Sequence, residues 1–150
     1  MISNHITDPL ARSATSFILL LMLALPCISV AEPIGTGVVF HLDSDAHMNR
    51  ALRQIAHQLD ATPDTPIHII MIAGAVNAVL DGAKDPNGGL YSAQMEQLLA
   101  GGVRIFACEN TLDSFNKTPD DLTFGIETVR SGIVALTERQ LTQHFAYQKL

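Results

Sequence analysis

The sequence predicts an α/β protein, a three-layer α/β/α sandwich built on a mostly parallel sheet of about five strands. Three observations carry this prediction. Short runs rich in β-branched residues alternate with stretches in which apolar residues recur every three or four positions. Two of the runs, IHIIMIAG at 67–74 and VRIFAC at 103–108, are apolar almost throughout, as strands buried on both faces of a parallel sheet are. Clusters of Gly, Pro, Asn and Asp punctuate the text between them.

GVVFHL, from Gly37, is the first strand, and Asp43-Ser44-Asp45 after it offers an N-cap for a helix. Met48, Leu52, Ile55 and Leu59 form that helix's apolar stripe, with Asn49, Arg50, Arg53 and His57 on the polar face, and Thr62-Pro63 stops it. The second strand, 67–74, leads into a short apolar piece and a loop, Asp85-Pro86-Asn87-Gly88-Gly89. Tyr91, Met95, Leu98 and Leu99 mark the next helix, closed by Gly101-Gly102, one of which takes the left-handed conformation of a helix end. The third strand, 103–108, ends in Cys108. Asn110 or Thr111 is placed to cap a short helix through Phe115, and Thr118-Pro119-Asp120-Asp121 breaks it. GIETV (125–129) reads as a fourth strand. Ser131 caps a helix through about His144, and FAYQKL reads as a fifth strand at a sheet edge.

Ahead of this pattern, FILLLMLAL (17–25) is broken by Pro26 and followed by Ser29-Val30-Ala31. The run is shorter than the roughly 20 residues a spanning helix needs, and small residues precede Glu32, so 1–31 reads as a signal peptide cleaved after Ala31 and 32–150 as a single domain. The expected location is the periplasm, with no membrane association after cleavage. The net charge is −6, the leading segment contributing one Arg and one Asp, and no run of Lys or Arg exists. This excludes a nucleic-acid partner of the ordinary basic-stripe kind.

Cys108 is the lone cysteine of 32–150, so no disulfide can form within that domain and the thiol itself calls for an explanation. Placed at a strand's carboxyl end beside the N–H groups of a helix start, it is poised to ionise; adjacent Glu109 opposes this, and a buried cysteine often merely packs. Of the histidines, His41, at the end of the first strand, is the candidate neighbour of the thiol. The others have structural readings, and no spacing suits a metal site. No glycine fingerprint follows a strand, so no nucleotide or other cofactor is expected. Asn116-Lys117-Thr118 matches a glycosylation acceptor that a turn explains as well.

The segment Gly102-Val103-Arg104-Ile105-Phe106-Ala107-Cys108-Glu109-Asn110-Thr111, followed by IETVRSGIVALTERQ and a closing FAYQK, resembles the DsrE/DsrF-like family, in particular its small members with a Gly-Val-x-Phe-x-x-Cys-x-Asn-Thr-type segment. The resemblance spans about residues 37–150. It implies a small α/β/α sandwich that forms homo-oligomers and, by analogy with sulfur-oxidation members, a cysteine that accepts and passes on sulfane sulfur as a persulfide. Cys108 would be that carrier, a sulfur-transferase-like role at most, with Asn110 and Thr111 as binding residues and a sulfur-donor or acceptor protein as partner. The expectation from a different class is a non-catalytic, oligomeric small-ligand-binding module in which Cys108 only packs.

Overall fold

The computed structural model describes residues 36–150; the segment read as a signal peptide lies outside them. Five strands form one sheet, all neighbours parallel, in the order β4-β3-β2-β1-β5. They are β1 (Gly37–Leu42), β2 (Ile67–Met71), β3 (Arg104–Cys108), β4 (Glu127–Val129) and β5 (Phe145–Lys149). The helices between them are α1 (Met48–Ala61), α2 (Tyr91–Ala100), α3 (Glu109–Ser114) and α4 (Gly132–Leu141), and 3-10 turns occupy Ala73–Val79 and Pro119–Asp121.

Every residue of β1 and β2 is buried, which is why these runs lack the alternation of a half-exposed strand. On one face Val38, Phe40, Ile69 and Ile105 pack with Leu52 and Ile55 of α1, Met95 and Leu98 of α2 and Leu112 of α3. On the other, Val39, Ile70, Phe106 and Phe145 meet Ala135 and Leu136 of α4. Three layers result, the second face covered by a single helix. Burial of each large side chain contributes about 1.5–3 kcal/mol.

Helix ends follow local chemistry. At the end of α2, Gly102 has φ +86, with Val103 N–H donating to Leu98 C=O and Gly102 N–H to Leu99 C=O, the paired bonds of a Schellman motif. The same pair closes α3 through Asn116, at φ +54, so its side chain type serves a left-handed turn.

Several expectations require correction. Asp43 and Asp45 do not cap α1: its N-cap position is His47, without a side-chain cap, because a turn at Ala46 and His47 intervenes, closed by Met48 N–H donating to Asp45 C=O. Asp43 instead pairs with Lys149 at 2.5 Å, and Asp45 accepts from Asn77 Nδ2 at 3.3 Å. Neither Asn110 nor Thr111 caps α3, which begins at Glu109 with Cys108 in the N-cap position. The second strand stops at Met71 as the chain tightens into a 3-10 turn, and β4 is shortened to three residues by a turn in which Gly125 has φ +87. The last helix ends at Leu141 and not near His144, which is left-handed (φ +55) in the turn into β5. As expected, β5 is an edge strand.

Candidate functional site around Cys108

β3 carries Cys108 to the carboxyl end of the sheet, on the face covered by α4. Two helices start there. Cys108 occupies the N-cap position of α3, and Gly132, the first residue of α4, donates its N–H to Cys108 Sγ at 3.3 Å. Ser131 sets this geometry, its Oγ accepting from Val134 N–H at 3.5 Å as the N-cap of α4. The two helix starts are joined by Asn110 N–H donating to Arg130 C=O at 3.3 Å. Glycine is required at 132 by close approach, since a Cβ there would overlap Ile72 Cγ2.

Cys108 is 5 % exposed. Burial pushes the thiol's pKa up, but hydrogen bonding from Gly132 N–H, the Thr111 hydroxyl and the backbone N–H groups of Thr111 and Asn110 outweighs it, and the net shift is downward. These groups favour the thiolate as donors to its charged form. Glu109 is turned towards β4, where Thr128 donates to it at 2.7 Å, with Arg130 3.8 Å away. Arg130 also pairs with Asp113 at 2.9 Å.

Thr111 is tied in from a third element, its Oγ1 accepting from Ala73 N–H at 3.2 Å. Ala73 has φ +46, a left-handed conformation costly for a residue with a Cβ. Thr111→Val is expected to raise the thiol pKa and slow its alkylation at neutral pH severalfold, with little change in melting temperature; a pH series of iodoacetamide rates checks this.

Among the residues singled out from sequence, Asn110 and Thr111 stand with Cys108, Asn110 through its backbone while its side chain is exposed. His41 does not. It lies on β1, paired with Ile70 of β2, which in turn pairs with Phe106 of β3, so two strand spacings, about 10 Å, separate it from the thiol's strand. Its Nδ1 is 2.8 Å from Tyr147 Oη and its Nε2 is buried without a partner among the described residues. Burial lowers its pKa, against the raising influence of Asp43. His68 is structural, its Nδ1 accepting from Arg139 Nε at 2.9 Å. Among the described residues no group of three or more His, Cys, Asp or Glu is placed to hold a metal ion, and no helix is long and apolar enough to cross a membrane.

Sequence reasoning missed Gly132. It contributes only a backbone N–H, from 24 positions away, and the sole local signal was the predicted Ser131 cap.

A five-stranded parallel α/β sandwich with a thiol at the end of a central strand, under two helix starts, defines a class of small strand-end thiol proteins. The chain matches the family model of the DsrE/DsrF-like family over residues 36–145 and belongs to that family. Among solved structures it is similar to a protein of unknown function from Methanobacterium thermoautotrophicum, at 29% identity and a TM-score of 0.66, covering 75% of this chain and 97% of that one. The ychN protein from E. coli shares the fold, with a TM-score of 0.66 and 18% identity over 77% of this chain and 99% of that one. No curated protein matches the chain.

Proposed function

We propose that this DsrE/DsrF-like protein is exported to the periplasm after cleavage at Ala31 and carries sulfane sulfur on Cys108, exchanging it with a partner protein. The observation that supports this is the Gly132 N–H donated to Cys108 Sγ at 3.3 Å where two helices start, an arrangement that favours the thiolate against burial. In the transfer step, the Cys108 thiolate attacks the outer sulfur of a donor persulfide, R–S–SH. The donor's S–S bond breaks, its electron pair leaves with R–S⁻, and Cys108–S–SH forms, so charge and atoms balance and no external oxidant is needed. The same N–H would stabilise the persulfide anion once formed.

Assembly into homo-oligomers belongs to the same reading. It is supported by the outer face of α4, where Ile133, Val134 and Leu141 are all exposed, and sedimentation of the purified protein tests it.

The carrier role is tested by the pH dependence of Cys108 alkylation in the folded protein, with intact mass recorded before and after exposure to a small-molecule persulfide. The expected result is an ionisation below the roughly 8.5 of a free thiol and a gain of one sulfur that Cys108→Ser abolishes. A thiol that labels only after unfolding would overturn the proposal and leave Cys108 a packing residue, as in a small-ligand-binding module.

A further inference from the structure

At the carboxyl ends of β1 and β2, away from the thiol, lies a cavity of about 490 Å³ lined by Asp45, Asn77, Lys84, Asp85 and Tyr91 among others, a size in the range of small-molecule sites. It adjoins a second of about 290 Å³, with which it shares Asp45, Ala46, Pro86 and Tyr91, and which is also lined by Arg50 and Arg53. The first half carries Asp45 and Asp85 against Lys84, and the second sets Arg50 and Arg53 against the shared Asp45.

Asp85 is fully engaged: it accepts from Asn49 Nδ2 at 2.7 Å and from the N–H groups of Asn87 and Gly89 at 2.8 Å. Asp45, by contrast, receives one long bond, from Asn77 Nδ2 at 3.3 Å, so its second oxygen and the Asn77 carbonyl remain available as acceptors. Tyr91 is 5 % exposed, yet it lines both cavities and its hydroxyl enters no hydrogen bond among the described residues. Burial raises its pKa, and the carboxylates of Asp85 and Asp45 raise it further, which places the phenol within their field. At the other end, neither Arg50 nor Arg53 has an ion-pair partner among the described residues.

We propose that this double cavity binds a small zwitterion, its ammonium at the Asp45–Asn77–Tyr91 end and its carboxylate at the Arg50–Arg53 end, which is the chemistry of a free amino acid or a dipeptide. An ammonium brings three donors and no acceptor, matching oxygens at the first end, while a guanidinium fork matches a carboxylate at the second. A simple anion would meet Asp45 and Asp85, and a neutral polyol would leave the charges of both arginines uncompensated. The site is independent of Cys108.

The test is calorimetric titration of the protein with L-alanyl-L-alanine and with its N-acetylated and C-amidated forms. The parent dipeptide is expected to bind, and either blocking group to weaken it about tenfold or more. Tyr91→Phe and Asp45→Asn are expected to reduce binding of the parent and of the amidated form, Arg53→Ala binding of the parent and of the acetylated form, and Cys108→Ser to leave all of it unchanged. Chemical-shift changes in the unmutated protein, centred on Asp45, Asn77 and Tyr91, supply a reading that requires no variant. Absence of binding, equal binding of all three forms, or shift changes centred on Cys108 would overturn the proposal, without bearing on whether Cys108 accepts sulfur.

Discussion

Gly132→Ala is expected to destabilise the protein by about 2–3 kcal/mol, at the upper end for one methyl forced into a packed interior, and to make Cys108 a weaker acid. The added Cβ would overlap Ile72 Cγ2 and lie 3.3 Å from Ile70 Cγ2 and 3.4 Å from Cys108 Cβ. None of these atoms is the far end of a flexible side chain; the strand or the start of α4 must move. Any movement that relieves the overlap also displaces the N–H that donates to Cys108 Sγ, so stability and thiol acidity fall together. Urea denaturation and iodoacetamide rates across pH measure the two effects. Ile72→Ala, which removes the obstructing methyl, is expected to recover much of the stability in the double variant. A wild-type alkylation profile in Gly132→Ala would show that this N–H does not govern the thiol.

The second large effect is a loss of stability in acid traceable to His68. This ring is buried between Phe106 and Phe145, at centroid distances of 5.4 and 4.7 Å, and its Nδ1 accepts from Arg139, itself stacked 5.2 Å from Phe106. An acceptor nitrogen facing a guanidinium cannot take a proton without losing that bond. Burial, then the charges of Arg139 and Arg104, lower its pKa from 6.5 to about 4, with Glu127 acting weakly in the opposite sense. Between those values the unfolded chain binds a proton that the folded protein refuses. The site's contribution is therefore complete above about pH 6.5 and falls as the pH drops, by about 3 kcal/mol at pH 4. His41, also lowered by burial, adds a slope of the same sign, so the decisive comparison is with His68→Asn, whose Oδ1 can replace the acceptor without titrating. That variant is expected to be less stable at neutral pH, through lost ring contacts, but to have a flatter stability profile between pH 6.5 and 4. An unchanged slope would remove His68 from the account.

Much of the fold was legible because it depends on short-range pattern. The nearly continuous apolar runs at 67–71 and 105–108, the Met48–Leu52–Ile55 stripe and the Gly101-Gly102 stop each express a local rule: burial on both faces, helical period, left-handed closure. The mistaken boundaries lie where a turn competes with an extended or helical continuation, as at Ala73, Gly125 and His144, all with positive φ. For two of those three the sequence offers no glycine to signal it.

The sequence by itself determined the α/β class, the edge position of the last strand, the family and the strand-end position of Cys108, since each is written in residues adjacent or periodically spaced along the chain. Only the tertiary structure decided what surrounds that sulfur. Parallel strands need long crossovers, so the order β4-β3-β2-β1-β5 brings Gly132 onto Cys108 across 24 positions, separates His41 from it by an intervening strand and gathers Asp45, Asn77 and Tyr91 around one cavity. Contacts of that kind are made by backbone groups and by side chains far apart in sequence, and no local pattern encodes which of them will meet.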